Sequence, residues 1–342
     1  MFPALLTTIL FSISAVCANR STRMLGSIPA NFWRLLLATV LLGLYAHGFS
    51  LGIAGPAFPI FFVSGIVGFG VGDFALYQAL PRLGSRLSIL LVHCLAAPVA
   101  ALTEWFWLGT PLSLSQALCG VVILAGVALA LAPGKHLQLS RRELLAGIVF
   151  GVLAALGQSF GAVLSRKAYG VARQTGENID GITAAYQRIL GGLLVALLCY
   201  SAFKKFRQGG FALPSRNEAP PQSEHPTSNI EHPTPNEETA PVRSLDIERS
   251  MFDVGCSVQK SALPWIVVNA LSGPVLGVSC YQWALKTIPT GVVLPIVAVT
   301  PIVIIPFSLA VEGERPTPRS LAGGVIAVAG VVGLSLVTRL AL

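Results

Sequence analysis

The chain has 342 residues, of which 54% are hydrophobic and only 11% are charged. A soluble domain carries about 25% charged residues, so charge this sparse leaves too little polar surface to solvate a globule and excludes an ordinary soluble protein. The formal net charge of +8 is not a nucleic-acid signal. Its Lys and Arg residues lie mostly between apolar runs, where positive charge sets membrane topology, and no nucleic-acid partner is expected.

Ten apolar runs follow in chain order, over 2–19, 31–48, 59–80, 86–107, 113–132, 144–165, 182–203, 264–285, 290–311 and 318–338. Each is long enough to cross a hydrocarbon core of about 30 Å as a helix. Only helices and closed barrels satisfy the backbone in lipid, and the alternation that barrel strands need is absent. The expected fold class is therefore all-α integral membrane, with ten transmembrane helices in a lipid bilayer. The first run has no basic residue before it, and Arg20 and Arg23 follow it. That is the reverse of a secretory signal, so it reads as an uncleaved span.

Most connections are short, which makes successive spans antiparallel neighbours. Residues 204–262 differ: they are polar, rich in Pro, Glu, Ser, Thr and Asn, and hold a near-duplicate heptapeptide at 223–229 and 230–236. Such composition buries too little apolar area to offset chain entropy, so a disordered insertion is expected. His225 and His232 within it read as linker residues. Cys17, Cys94, Cys119, Cys199, Cys256 and Cys280 show no metal-ligand spacing, and neither a metal nor any other cofactor is expected.

The chain repeats itself. Tyr77-Gln78 in the third run matches Tyr281-Gln282 in the eighth, Pro98 matches Pro301, Ala125-Gly126 matches Ala329-Gly330, and Arg34 matches Arg188. The series is ordered, which divides the chain into a first five-helix repeat at 1–132 and a second at 144–338, interrupted by the insertion. An odd number of spans per repeat inverts the second relative to the first, the build of secondary transporters that expose a central site to each face in turn.

The stretch Gly72-Asp73-Phe74-Ala75-Leu76-Tyr77-Gln78-Ala79-Leu80, followed by Pro98, Gly109, Cys119-Gly120 and Ala125-Gly126, resembles the EamA-type repeat of the drug/metabolite transporter superfamily. The second half carries Glu312-Gly313-Glu314, Leu321-Ala322-Gly323-Gly324 and Ala329-Gly330 in the same order, whereas Thr110 stands where the first half would have the Glu of the Gly-Glu pair. The resemblance implies ten helices around a central cavity, alternating access, and export or exchange of small organic metabolites. It implies the cell (inner) membrane, a small-molecule substrate, and a monomer or homodimer.

Ionisable groups inside spans are costly, by about 2.5–3.5 kcal/mol each on insertion scales, and point to function. Asp73 lies seven residues from the end of the third run and His93 seven residues into the fourth, so both sit roughly 10 Å below one face. They read either as a pair that meets and takes up and releases a proton during transport, or as residues satisfied within the bundle, Asp73 by hydrogen bonds and His93 by a backbone carbonyl; in the first reading Asp73→Asn removes proton-linked flux with folding intact. Tyr77 shares a helix face with Asp73. Together with Gln78, Tyr281 and Gln282 it reads either as cavity lining or as interhelical bonding. Arg34 and Arg188 read either as partners of a substrate anion or as residues snorkelling to the headgroups. Pro98 and Pro301 are the expected gating prolines, and Glu104 with Trp105 and Trp107 reads as an interface anchor. Gly68, Gly70, Gly72, Gly120, Gly126, Gly324 and Gly330 are expected to let helices pack closely.

The loops after runs one, three, five and nine are the richer in Lys and Arg, which places both termini outside by loop charge, whereas the family resemblance places them in the cytoplasm. No HExxH, Gly-x-Ser-x-Gly or P-loop motif occurs, so no catalytic residues are expected and an enzyme or ATP-driven pump is disfavoured. A metabolite transporter is the leading expectation, with a non-transporting scaffold or lipid-flippase component as the alternative.

Overall fold

The computed structural model describes residues 2–108, 113–131, 140–208, 261–287, 290–313 and 316–340. These residues form helices joined by short turns, with no strand among them. Helix α1 spans Phe2–Leu25 and α2 Ser27–Phe49. Helix α3, Phe58–Gly65, runs through a π-helical segment, Ile66–Asp73, into α4, Phe74–Leu108. After α5 (Leu114–Leu131), α6 (Arg141–Gln174) and α7 (Gly181–Gln208), helix α8 covers residues 261–270. A second π-helical segment, Leu271–Gly277, leads into α9, Val278–Thr287. Helices α10 (Thr290–Val297), α11 (Thr300–Glu312) and α12 (Pro318–Leu340) complete the chain.

Six helical stretches are long and apolar enough to cross a membrane, and three shorter apolar helices accompany them. The chain is a multi-pass integral membrane protein. One of the six, Phe58–Val99, covers the third expected span and the larger part of the fourth, joined almost without a loop. The reversal is made at Gly84, whose φ of 79° and ψ of 168° leave the helical region. Only glycine reaches that conformation without strain, which is how two spans connect with no intervening turn residues.

Other boundaries follow local chemistry. Ser140 caps α6 by accepting a hydrogen bond from the Glu143 backbone N–H at 3.2 Å, the first half of a capping box. The ninth expected span is broken: α10 ends at Val297 and α11 starts at Thr300. Pro301 therefore opens a helix, where a missing N–H costs nothing, instead of kinking one. Pro98 lies inside the continuous α4. Helix α7 runs on to Gln208 and α8 is helical from 261, so the polar segment expected at 204–262 starts later and ends earlier. The exposed Lys204 and Lys205 extend the helix by a turn beyond its apolar stretch. His225, His232 and Cys256 lie outside the described residues, as do the side chains of Glu104, Trp105 and Trp107.

Packing depends on bare backbone at a few crossings. A Cβ on Gly157 of α6 would fall 2.6 Å from the Gly72 Cα and 2.9 Å from the Val67 carbonyl oxygen of the first π segment. A Cβ on Gly126 of α5 would fall 2.5 Å from the Ala327 nitrogen of α12. Such approaches give TM helices the van der Waals contact that lipid does not displace. The expectation of close packing fits Gly72 and Gly126 but not Gly120, which has nothing within 4 Å of its Cβ position. Gly157→Val is expected to lower stability by about 1–3 kcal/mol through overpacking, and Gly120→Ala to leave it unchanged. Thermal denaturation of both variants in one detergent checks the contrast.

Candidate functional site

A cavity of about 80 Å³ lies where α1, α2, α4, α6, α7, α9 and both π segments converge. The first π segment ends on Asp73 and the second on Gly277, the two positions that the Tyr-Gln alignment pairs. A π turn widens the helix and frees backbone and side-chain geometry from the regular ladder, and such turns occur often at functional sites.

Asp73 and His93 both line this cavity, but they do not pair. Asp73 forms an ion pair and direct hydrogen bond with Arg34 of α2. A guanidinium carries a permanent charge and a planar fork that suits carboxylate, so it outcompetes an imidazole for the acid. His93 instead stacks on Phe11 of α1, with ring centroids 5.9 Å apart. Neither Arg34 nor Arg188 reaches outward to the headgroups: each is only 5% exposed and lines the cavity.

A polar network surrounds the pair. Arg34 Nη2 donates to Asn31 Oδ1 at 3.0 Å, and its guanidinium sits 4.9 Å from the Tyr77 ring centroid. Asn269 Nδ2 of α8 donates to the Tyr77 hydroxyl at 2.7 Å, and Ser14 Oγ of α1 donates to Asn269 Oδ1 at 2.7 Å. Low dielectric strengthens each of these bonds and raises the cost of leaving any member unpaired. Asn31, Ser14, Asn269 and Gln158, which also reaches the cavity, were not singled out from sequence. Their one sequence signal is an uncharged polar residue inside an apolar run, which Ser and Thr residues bonding their own helix backbone share.

The second part of the chain contributes Arg188 and Tyr281. Arg188 lies 5.3 Å from the Phe69 ring centroid, has no ion-pair partner among the described residues, and its Nε has no hydrogen-bond partner. The buried Tyr281 hydroxyl also lacks one. Gln78 turns away from the cavity, its Oε1 accepting from Arg82 at 3.2 Å. Gln282 is fully buried with both amide atoms unpartnered and does not line the cavity. Pro98 and Pro301 do not line it either; Pro274, in the second π segment, does.

Hydrogen bonds also join early and late segments toward both ends of the helix bundle. At the end where α1 and α11 finish and Gly84 reverses the chain, the Glu312 carboxylate accepts from Asn19 Nδ2 and from Ser85 Oγ, each at 2.8 Å. At the other end, Asp180 accepts from Ser50 Oγ at 2.8 Å and from the Thr183 hydroxyl at 2.6 Å. It also caps α7 through the backbone N–H groups of Ile182 and Thr183. Gln187 Nε2 donates to the Gly52 carbonyl at 3.0 Å on the same side. No cluster of three or more metal-ligating side chains occurs among the described residues.

This is the arrangement of a helical membrane protein with a small internal cavity lined by charged, polar and apolar side chains. The EamA-like transporter family model matches residues 1–132 and 250–336; the chain belongs to that family of membrane transporters. No curated protein matches the sequence. A solved crystal structure superposes with a TM-score of 0.58 over 98% of this chain and 96% of its own, at 17% identity, a likeness of fold alone.

Two outcomes follow from the site. Asp73→Asn leaves the Arg34 charge buried and uncompensated, so it is expected to cost about 3–5 kcal/mol of stability, contrary to the sequence expectation of intact folding. The double variant Arg34→Met/Asp73→Asn should recover most of that loss in detergent melts. Burial opposes ionisation of Asp180, but its hydrogen bonds from Thr183, Ser50 and Ile182 outweigh burial and hold its pKa below the ordinary value of 3.8. A depressed carboxyl pKa stabilises the fold above the unfolded value, and that contribution disappears as pH falls through the folded value. Asp180→Asn should therefore lower the melting temperature at neutral pH, and the difference from the native chain should shrink steadily below pH of about 3.8.

Proposed function

We propose that the protein is a secondary transporter that moves small organic metabolites across the cell (inner) membrane by alternating access, in the direction of export. In this reading ten membrane-spanning helices form two inverted five-helix repeats, 1–132 and 144–338, and the chain works as a monomer or homodimer on a small-molecule substrate. The observation that carries the reading is the cavity itself. Its lining comes from both repeats, and each end is held by hydrogen bonds that join one repeat to the other. Rocking of one repeat against the other would break one set while keeping the second, as alternating access requires. The π segments at corresponding places, Ile66–Asp73 and Leu271–Gly277, support the repeat. Asp73 is the carboxylate lining the cavity, so a proton-coupled cycle would have to release it from Arg34.

The test uses the full chain with native cysteines replaced, reconstituted in liposomes. Cysteine pairs at Asn19/Glu312 and at Ser50/Asp180 are cross-linked separately with a short thiol reagent. Each cross-link should stop substrate flux, and reagent cleavage should restore it. Flux that persists with both ends cross-linked would rule out alternating access through this cavity.

A further inference from the structure

We propose that Arg188 and Tyr281 form a carboxylate-binding subsite and that the substrate class is a small organic monocarboxylate; this rests on the transporter reading given above. The starting point is the inequality of two matching arginines. Arg34 has Asp73 as its counter-ion. Arg188, equally buried at 5% exposure, has no ion-pair partner among the described residues; the Nε of both arginines is without a hydrogen-bond partner, so the counter-ion is the difference.

The repeat explains the difference. The counterpart of Asp73 is Gly277, and a Cβ there would fall 2.4 Å from the Ser272 carbonyl oxygen and 2.8 Å from the Phe11 ring. The second half has no room for its own acid at that place. A buried guanidinium without a counter-charge is expensive, and it is retained in a wall that faces a cavity.

Tyr281 supplies the second donor. Its hydroxyl is buried and unpartnered, and it lines the same cavity as Arg188. A guanidinium fork and a phenol hydroxyl that face one cavity are a donor set for the two oxygens of a carboxylate. The guanidinium is also held in position: a Cβ on Gly68 or Gly161 would fall 2.9 Å or 3.2 Å from its Nη2, and the Phe69 ring lies beside it.

Charge counting narrows the class. The lining carries the guanidinium groups of Arg34 and Arg188 and the single carboxyl group of Asp73, which leaves one arginine charge without a matching acid. One carboxylate cancels it. A zwitterion leaves it unmatched, and a dianion overshoots. Phe11, Ile89 and Val92, which also line the cavity, provide apolar surface for the remainder of the molecule.

The test uses the purified full-length protein and a matched three-carbon set: pyruvate, pyruvamide, isopropylamine and alanine. Pyruvate should raise the melting temperature, and the neutral, cationic and zwitterionic matches should not. Arg188→Gln should weaken pyruvate binding about tenfold or more. Arg188→Lys should weaken it less, because it keeps the charge and loses the fork. Tyr281→Phe, which removes only the hydroxyl, serves as the independent variant should Arg188→Gln fail to fold, and should also weaken binding. Labelled pyruvate is then followed into proteoliposomes. Binding with flux supports both readings. Binding without flux upholds the subsite and overturns the transporter reading. Flux of the amide or amine that is indifferent to Arg188→Gln upholds transport and overturns the subsite. Equal stabilisation by all four probes, or none by pyruvate, also overturns it.

Discussion

The contact on which the site depends is the buried ion pair between Arg34 and Asp73. In a membrane interior neither charge can be left alone, and a pair is better tolerated the more of its remaining donors and acceptors are met. Asn31 accepts from Arg34 Nη2 and the Tyr77 ring lies beside the guanidinium, Asn269 and Ser14 hold Tyr77 in turn, and Arg34 Nε is left without a partner. Satisfying one pair therefore fixes the relative positions of α1, α2, the first π segment, α4 and α8. Because Arg188 shares the chamber and Asp73 is committed to Arg34, the same contact decides that the chamber carries a surplus positive charge.

Placing three charged side chains around one small volume requires the backbone to be narrow in some places and wide in others. Bare glycine backbone lets α6 approach the first π segment at Gly72 and Gly157. The π turns then widen the helix where Asp73 stands and where Gly277 answers it. A regular α-helix through 66–73 would rotate Asp73 relative to the residues before it, so its alignment with Arg34 depends on local geometry as well as on sequence spacing.

Much of this architecture is legible in the sequence because lipid enforces a simple rule: apolar runs of sufficient length become helices. The fifth and tenth runs, 113–132 and 318–338, correspond to Leu114–Leu131 and Pro318–Leu340. The break at Ala298 and the absence of a loop around Gly84 were not legible, because a proline and a glycine signal interruption without stating its form. At the site, burial of Asp73, His93, Arg188 and Tyr281 in one cavity follows from which runs hold them. The Asp73–His93 pairing failed because depth along antiparallel helices says nothing about rotation around their axes, and a third helix brought a stronger partner. Asn269 and Ser14 are not distinguishable in the sequence, since a neutral polar residue in an apolar run has the same appearance whether it bonds its own backbone, as Ser12 does to Thr8, or bridges distant helices. For Gln78 and Gln282, which do not line the cavity, the repeat left lining and bonding undecided, because it marks matching positions without showing which of them face inward.

The central claim is that the chamber lacks one negative charge and that the substrate supplies it at Arg188. Its most direct measurement is a magic-angle-spinning NMR distance between arginine side-chain ¹⁵N and the ¹³C-labelled carboxylate of bound pyruvate, in protein reconstituted in lipid, with assignment by Arg188→Lys and Arg34→Lys. The account predicts a strong dipolar contact at hydrogen-bonding range that vanishes with Arg188→Lys and survives Arg34→Lys. A contact assigned to Arg34, or a bound carboxylate with no arginine nitrogen near it, would contradict the account.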